Sequence, residues 1–506
     1  MGERVHWADV CAAAVPQDIP HRIATGITPS GPIHIGNMRE VVTGDLIFRA
    51  MIDAGLTAEL LYIADDFDPL RRVYPFLPQE YSHYVGMPIC DIPCPCGEHA
   101  NYAEHFLAPF LQALDEMAIH PVVVRGSEEY RGGRYTEEIS TVLEHTSGIR
   151  EILERVSGRS LPPTWTPYYP VCGSCGRISN AVLLDHDRAH HRVSYRCACG
   201  YEGVSDYARG EGKLVWRVDW PMRWYHFGIT VEPFGKDHAA SGGSYDTGSE
   251  IVRKVFGREP PFPVMYEWIS LKGKGAMASS TGVAVTIEDM LRIVPPDVLR
   301  YLIARSRPEK AIDFDPGMGL VSLIDEFERG VGQAESREFA LSRISTFAHD
   351  IPFRHMITVV QIARTDAQIF EILQRSGYDV TDREGIFKQA QRARAWLESY
   401  APEEVRFSVQ ESLPAEARAL PGQDLYALGL MVSAFSRLAD WKADALHALV
   451  YSVAEETGTS PREIFRALYI VFLGKERGAR MGWFLEALGR EFVERRIIEA
   501  VNAGGK

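Results

Sequence analysis

The sequence predicts an α/β fold in which a parallel, doubly wound sheet is followed by an all-α C-terminal region. Three observations predict it. Strand and helix patterns alternate in the first part of the chain, helical periodicity dominates from about residue 315 onward, and 506 residues are too many for one core. A strand, a helix and a second strand in succession form a βαβ unit, which belongs to parallel sheets.

The alternating patterns place the elements of this sheet. Arg22–Ile27 and Ala58–Ala64 are expected as strands on either side of a helix over Asn37–Ala54, whose apolar residues recur on one stripe. Further elements are expected along the chain: the helix Tyr102–Ala118, the strand Val122–Arg125, the helix Tyr135–Val156, the strands Lys213–Val218 and Phe262–Met265, and the C-terminal helices Asp424–Trp441 and Pro461–Leu473.

A change of composition interrupts the sheet pattern. From about residue 161 to residue 212 the chain has paired cysteines, several prolines and short polar stretches typical of hairpins. We interpret this segment as an insertion. Residues 1–160 and 213–315 are then the two halves of one sheet domain, and residues 316–506 are the helical region.

Composition excludes some classes of protein. With 46% hydrophobic and 24% charged residues, the chain is neither broadly disordered nor a fibrous repeat. No apolar run approaches the roughly 20 residues that span a bilayer, so we expect a cytoplasmic protein with no membrane partner. The formal net charge of −14 argues weakly against a nucleic-acid partner, because phosphate binding needs local positive charge.

One glycine-rich string lies between the first strand and the helix that follows it. It runs from Thr25 to Asn37 as TGITPSGPIHIGN. Glycines let a ligand approach the backbone closely, and a helix N-terminus offers free N–H groups to phosphate. A histidine in this loop can donate a hydrogen bond to a phosphate oxygen as negative charge develops there. A lone His-x-Gly is usually an ordinary turn, but the whole string is far more specific.

This string resembles the nucleotide-binding motif His-Ile-Gly-His of class I aminoacyl-tRNA synthetases, with asparagine in the last place. Asparagine there, after Thr-Gly-Ile-Thr-Pro-Ser-Gly, is similar to the class I lysyl-tRNA synthetase family. The resemblance runs from about Trp7 to Phe484. It implies a Rossmann-like catalytic domain with a zinc-binding insertion, then an α-helical anticodon-binding domain. It also implies that His34 and Asn37 are catalytic and that ATP is held by Pro29, Ser30, Gly31, His34, Gly36 and Asn37.

A second loop corresponds to the Lys-Met-Ser-Lys-Ser motif of the same enzymes, whose cation stabilises the pyrophosphate leaving group. Residues 270–282 are SLKGKGAMASSTG, so neither lysine of the motif is in its usual place. Lys274, or Lys272 as the less favoured choice, is expected to supply the charge, because lysine has a long flexible side chain. The residues expected to act from this loop are Lys274, Ser279 and Ser280 in catalysis and Met277 in ATP binding.

A lysine substrate carries an ammonium group, so its pocket needs a carboxylate and an aromatic face. Asp65 or Asp66, just beyond the second strand, and Trp220 have these chemistries. Each has an ordinary alternative, because an aspartate there can cap a helix and a tryptophan can pack in the core. The resemblance further implies three contacts to the amino acid or its adenylate: Gly26, Thr28 and His238.

Seven of the eight cysteines fall into two clusters, which in a cytosolic chain is typical of metal binding rather than disulfides. In the second cluster, two short cysteine pairs can each give two thiolates to a tetrahedral zinc ion. Its four expected ligands are Cys172, Cys175, Cys197 and Cys199.

The first cluster contains Cys90, Cys94 and Cys96 with two nearby histidines. The resemblance implies a zinc site made by Cys94, His99 and His105, with Cys96 or Glu98 completing it. We favour Cys96, because thiolate binds zinc better than carboxylate in a structural site. Both zinc ions are expected to be structural.

Together these features predict an enzyme that uses ATP with Mg²⁺ to convert L-lysine to lysyl-adenylate and then transfers lysine to the 3′ end of tRNA(Lys). We expect it to act as a monomer. Two alternatives stay open. One is a class I synthetase for glutamate or cysteine, and the other is a zinc-stabilised RNA-binding paralogue without catalytic activity, suggested by the alanines of the second loop.

Overall fold

The computed structural model of the chain describes residues 5–178, 181–273, 275–276, 285–331, 336–344 and 351–504. The chain divides into two compact units. The first unit comprises residues 1–291, 296–314 and 335–344, and the second comprises residues 292–295, 315–334 and 345–506.

A five-stranded parallel sheet is the centre of the first unit, which confirms the predicted fold class. The chain starts in the middle strand and builds outward to one side and then to the other. The order of the sheet therefore reverses next to its first strand, which is where doubly wound sheets bind ligands. From edge to edge the strands are Phe262–Tyr266, Val231–Gly235, His21–Ile27, Ala58–Ala64 and Val122–Arg125.

The helix Ile35–Asp53 packs on this sheet as its sequence pattern predicts. Met38, Val42, Leu46 and Ala50 form the predicted stripe and are at most 1% exposed, because residues at this spacing share one helix face. The other helices of the first unit are Trp7–Ala14, Tyr102–Glu116, Gly126–Arg131, Thr136–Glu144, Thr146–Ser157, Trp216–His226, Ser244–Phe256, Ile287–Leu291, Pro296–Ala304 and Arg337–Ser342.

Three small sheets complete the first unit. One pairs Tyr168–Pro170 with Gly212–Leu214, and another contains Ile269–Leu271, Gly275–Ala276 and Ile312–Phe314. The third is an antiparallel sheet of Val182–Asp187, Arg192–Arg196 and Glu202–Asp206.

Three elements differ from the sequence prediction. The helix predicted over Asp424–Trp441 is Gly422–Phe435. Lys213–Val218 is not a strand of the main sheet: the chain leaves a short strand at Leu214 and enters the helix Trp216–His226. A short apolar run does not distinguish a strand from a buried helix, so the prediction failed there. The single helix predicted over Tyr135–Val156 is two helices that meet at His145.

The second unit is helical, as predicted. Pro461–Leu473 begins and ends where the sequence predicts, because Ser460 and Glu463 form a capping box and Gly474 ends the helix with a φ of 67°. No described helix is both long and apolar enough to cross a bilayer. The remaining helices of this unit are Met318–Val331, Phe353–Ile362, Asp366–Arg375, Arg383–Ser399, Gly422–Phe435, Ala443–Thr457, Met481–Leu488 and Arg490–Gly504.

Candidate active site and metal centres

A cavity of about 910 Å³ opens where the strands His21–Ile27 and Val231–Gly235 end. It lies at the point where the order of the sheet reverses, the usual ligand position in this architecture. We call it the active-site cavity. Its lining residues are Gly26, Ile27, Thr28, His34, Gly36, Asn37, Glu40, Asp65, Arg71, Trp216, Arg217, Gly235, Asp237, His238, Ser244, Tyr266, Trp268 and Ile269.

His34 and Asn37 together start the helix at the edge of this cavity. The backbone N–H of Asn37 donates to Nδ1 of His34 at 3.3 Å, and the His34 N–H donates to Oδ1 of Asn37 at 3.4 Å. Burial lowers the pKa of His34 to about 4, so its ring is neutral at pH 7. Because Nδ1 accepts a hydrogen bond, the ring proton lies on Nε2, which is then available as a donor.

Gly36 is required by the same arrangement. A Cβ atom at this position would lie 2.8 Å from Cε1 of His34, closer than such atoms approach. Any side chain at position 36 would therefore push the histidine ring out of its capping position.

The described residues that follow the second loop pair with the first loop. Val285 and Ile287 exchange backbone hydrogen bonds with Ile35 and Ile33, on either side of a bridge between His34 and Thr286. The end of one motif segment is thus held beside the other. The proposed loop residues Lys274, Met277, Ser279 and Ser280 lie outside the described residues.

Glu40 lines the cavity with its carboxylate. The sequence analysis did not select this residue. Its Oε1 accepts from the backbone N–H of Gly26 and its Oε2 accepts from the hydroxyl of Tyr266, both at 2.7 Å. Burial raises the pKa of Glu40 to about 7 despite these two donors. The sequence did contain a signal, an acidic residue close to the apolar residues Met38 and Val41, which are buried. Charged groups are rarely buried without a partner.

Asp65 and Asp66 differ in what their carboxylates contact. Asp65 lines the cavity and forms an ion pair with the buried Arg223, while burial raises its pKa. Both oxygens of Asp66 are engaged by Ser127, one by its backbone N–H at 2.7 Å and one by its hydroxyl. Asp66 is not among the described residues that line the cavity. Its contacts are those of a helix cap.

Thr28 is held by a buried network of charges. Its hydroxyl donates to Oδ2 of Asp68 at 3.1 Å, and Oδ1 of Asp68 is ion-paired with Lys213. Lys213 also lies 4.0 Å from Asp219, which accepts a hydrogen bond from Tyr130. Lys213 is only 4% exposed and comes from the short strand that the sequence analysis assigned to the main sheet. The network fixes the orientation of the Thr28 side chain.

An aromatic wall stands on the other side of the cavity. Trp216 and Trp220 stack with ring centroids 5.2 Å apart, and His238 lies 5.7 Å from Trp220. The indole N–H groups of Trp220 and Trp224 donate to the two oxygens of Glu232, at 2.7 and 2.9 Å. Burial raises the pKa of Glu232 to about 8. Trp220 therefore packs behind Trp216 and His238, which line the cavity.

The structure brings together at the cavity seven of the twelve described residues that the sequence analysis selected for the nucleotide and the amino acid. Pro29, Ser30 and Gly31 are not among the described lining residues, and the Ser30 carbonyl accepts from Tyr102 at 2.7 Å. Those that line the cavity are Gly26, Thr28, His34, Gly36, Asn37, Asp65 and His238.

The first cysteine cluster has the dimensions of a metal site. Cys94 and Cys96 have their sulfurs 3.3 Å apart, and the Nδ1 atoms of His99 and His105 lie 3.2 to 3.6 Å from those sulfurs. Ligands of a tetrahedral zinc ion with bonds of about 2.0–2.3 Å are separated by roughly 3.3–3.8 Å. The four atoms therefore fit one zinc ion, and Glu98 is not part of this described group.

The second cluster fits zinc as well. The sulfurs of Cys172 and Cys199 are 3.7 Å apart and those of Cys175 and Cys197 are 3.9 Å apart, too far for disulfides. All four lie within 4.8 Å of one another. Thiolates at these separations match the edges of a zinc tetrahedron.

The chain is similar to known proteins over nearly its whole length. A family model for tRNA synthetases class I (K) matches residues 5–347, and a model for an anticodon binding domain matches residues 390–501. A lysine–tRNA ligase of Methanosarcina barkeri is 47% identical over 531 residues and covers 99% of both chains. One from Archaeoglobus fulgidus is 46% identical over 98% of this chain and 100% of its own.

Solved structures were also compared. A glutamate tRNA ligase from Elizabethkingia meningosepticum, in complex with its amino acid, has a TM-score of 0.48 and 14% identity, covering 96% of this chain and 99% of that one.

Proposed function

The chain belongs to the family of class I (K) tRNA synthetases, and from this premise we propose that it is a lysine–tRNA ligase. The carboxylate of lysine attacks the α-phosphate of ATP, and pyrophosphate leaves. A hydroxyl of the terminal ribose of tRNA(Lys) then attacks the carbonyl of lysyl-adenylate, and AMP leaves. Both steps depend on positioning and on stabilising developing charge.

The observation that carries this proposal is Glu40 in the active-site cavity. A carboxylate whose pKa is raised to about 7 by burial is stabilised when an ammonium group binds beside it. Tyr266 donates to the same carboxylate and lines the cavity with it. The ammonium end of lysine is proposed to bind there. A glutamate side chain would meet like charge, which disfavours glutamate as the substrate.

ATP is proposed to bind at the N-terminus of the helix Ile35–Asp53. The Nε2–H of His34 can donate to a phosphate oxygen, and the positive end of the helix dipole favours the phosphate charge. Mg²⁺ would neutralise part of the phosphate charge. Lys274 is proposed to supply the cation that stabilises the leaving pyrophosphate, and Ser279 and Ser280 are proposed to assist it. Met277 is proposed to contact the nucleotide. Arg71 and Arg217 supply further positive charge in the cavity.

Thr28 and Gly26 are proposed to hold the amino acid or adenylate, with Asp65, His238 and Trp220 shaping that end of the cavity. Thr28 is suited to this because Asp68 orients its hydroxyl. Asp66 is proposed to support the cavity through Ser127 rather than by touching lysine.

Zinc is proposed in both cysteine clusters as a structural ion. Each cluster offers four ligands and leaves no coordination position for a catalytic water. The helical second unit, which contains the region matched by the anticodon-binding model, is proposed to contact tRNA. A monomeric state and a cytoplasmic location complete the proposal, and size-exclusion chromatography tests the first of these.

The proposal is tested by ATP–pyrophosphate exchange with purified protein, with tRNA present and absent. Lysine should support exchange, whereas glutamate and cysteine should not. Exchange with glutamate or cysteine alone would assign the cavity to another amino acid. Absence of exchange with every amino acid, in a folded protein supplied with tRNA, would favour the non-catalytic RNA-binding alternative.

A further inference from the structure

Three tryptophans recur at every fourth position of the helix Trp216–His226, so they share one face of it. Trp224 is 1% exposed, Trp220 is partly exposed, and Trp216 lines the active-site cavity. The rings of Trp216 and Trp220 stack with centroids 5.2 Å apart, and the centroids of Trp220 and Trp224 are 4.8 Å apart. Trp220 is thus the middle member of a row of rings that leads from the core to the cavity.

The strand Val231–Gly235 contacts Trp220 from a second element. Glu232 and Phe234 are two positions apart in this strand, so their side chains point to the same face of the sheet. Phe234 packs perpendicular to the Trp220 ring, with centroids 5.6 Å apart. Oε1 of Glu232 accepts from the Trp220 indole N–H at 2.7 Å. The ring of Trp220 is therefore held by packing and by its polar edge.

Glu232 is a buried charge in this arrangement. It is 6% exposed, and its Oε2 accepts from the indole N–H of Trp224 at 2.9 Å. No basic side chain among the residues that the structure describes forms an ion pair with Glu232, since Arg223 pairs with Asp65 and Asp219 instead. Burying a carboxylate without a paired cation costs free energy. Such a group beside a ligand cavity indicates a functional role.

Only the ionised form of Glu232 can accept from both indoles. A carboxylate has two accepting oxygens, whereas a protonated carboxyl group or a glutamine amide has one accepting oxygen and a donor in place of the other. Burial, with a smaller contribution from the Glu40 carboxylate, raises the pKa of Glu232 to about 8, even though both indole N–H groups lower it. Both tryptophans are therefore held when the pH is above this value.

We propose that Glu232 is a positioning residue for the amino-acid end of the active-site cavity. By holding Trp220 and Trp224 at once it fixes the row of rings, and through Trp220 it fixes Trp216 and His238, which line the cavity. The His238 ring lies 5.1 Å from that of Trp216 and 5.7 Å from that of Trp220. A wall that is ordered in advance loses less conformational freedom when the ligand binds. The inference rests on the proposed function, since it takes this cavity to bind the substrate amino acid.

The test is ATP–pyrophosphate exchange with the full chain at about pH 9, where Glu232 is mostly ionised. Glu232→Gln should raise KM for lysine by about 5- to 100-fold with little change in kcat or in KM for ATP, because one buried indole N–H then faces an amide donor. Glu129→Gln is the matched control. It alters another buried carboxylate of the same unit that is not among the described lining residues, so KM for lysine should not change.

A rescue variant separates positioning from a general loss of stability. Trp224→Phe removes one indole N–H, so the amide oxygen of the Glu232→Gln variant is free to accept from Trp220. KM for lysine in Glu232→Gln/Trp224→Phe should therefore lie within about twofold of that in Trp224→Phe alone. A general loss of stability would instead make the double variant worse than either single variant. Glu232→Asp keeps both accepting oxygens but withdraws them by one methylene, so it should raise KM for lysine less than Glu232→Gln does.

Thermal melting shows which variants are folded. Two results would overturn the inference: a wild-type KM for lysine in folded Glu232→Gln, or the same increase from that substitution with and without Trp224→Phe. If Glu232→Gln does not fold, Glu232→Asp takes its place, and a wild-type KM in that variant would overturn the inference.

Failure of the proposed function gives a different pattern. Either overturning result in a protein that activates lysine would leave the proposed function intact. If the wild type responds to glutamate or cysteine instead, the expected pattern in KM for that amino acid would support the role of Glu232 and remove the proposed function. Absence of exchange with every amino acid would remove both.

Discussion

The active-site cavity and a cavity of the helical unit, which is lined by Trp396 and Trp483, differ in how their charges are arranged. The first mixes signs, with Glu40 and Asp65 near Arg71 and Arg217, as a site for a cationic amino acid and an anionic nucleotide requires. The second has three arginines, Arg354, Arg477 and Arg480, against one lining carboxylate, that of Glu404. The net charge of −14 describes neither of them. Local charge, not total charge, decides what each cavity can bind.

The strongest test of this comparison is Glu40→Gln. It removes the charge that pairs with the lysine ammonium, so kcat/KM for lysine should fall by about 10²–10³-fold. KM for ATP should change much less, because the nucleotide is proposed to bind at the N-terminus of the helix Ile35–Asp53. Glu59→Gln is the control, since its carboxylate pairs with Arg22 and does not line the cavity, and it should leave KM for lysine near the wild-type value. Equal decreases in kcat/KM for lysine in both variants would show that Glu40 does not bind the lysine ammonium group.

Lys274→Ala tests the nucleotide end of the active-site cavity. If Lys274 replaces the missing lysines of the second loop, the adenylation rate should fall by about 10²–10³-fold, as when one charge-stabilising donor is removed. KM for lysine should hardly change. Lys272→Ala should cost less, because it lies next to the strand Ile269–Leu271. A near-normal rate for Lys274→Ala would transfer the role to backbone N–H groups and to Ser279 and Ser280.

The two cysteine clusters can be tested for zinc binding and for the residues that bind each ion. Metal analysis should find about two zinc ions per chain, one for each group of four ligands. Cys172→Ser/Cys175→Ser should remove one ion and lower the melting temperature. Cys96→Ser should remove the other, whereas Cys90→Ser and Glu98→Gln should retain both. Loss of zinc from Glu98→Gln with retention in Cys96→Ser would reverse the choice of ligand.

The smallest expected effect is the pH dependence of lysine binding. Glu40 binds an ammonium group only when ionised, and its pKa is about 7 in the free protein. KM for lysine should therefore rise as the pH falls below 7, by roughly tenfold per unit once the carboxyl is mostly protonated. The Glu40→Gln variant should show no such rise over about pH 5.5–7. A flat profile in the wild type would exclude Glu40 as the lysine partner.

Local patterns predicted what depends on neighbours in sequence. The string Thr25–Asn37, the cysteine pairs and the helix Pro461–Leu473 were identified because glycines, thiolate spacing and caps act over short distances. Contacts between residues far apart in the sequence could not be predicted in this way. The sequence could not show that Glu40 meets Tyr266 from another strand.

Other residues were missed for the same reason. Lys213 binds Asp68 from a segment 145 positions away. Ser127, at the start of a short helix, donates a hydrogen bond to the Asp66 carboxylate.

The most direct test of the central claim is the charging of tRNA. Purified protein, ATP, Mg²⁺ and tRNA(Lys) should give lysyl-tRNA with radiolabelled lysine, and this product should disappear when ATP is omitted. Glutamate should not be attached under the same conditions. Attachment of glutamate, or no lysyl-tRNA from a folded protein that contains zinc, would contradict the assignment of this chain as a lysine–tRNA ligase.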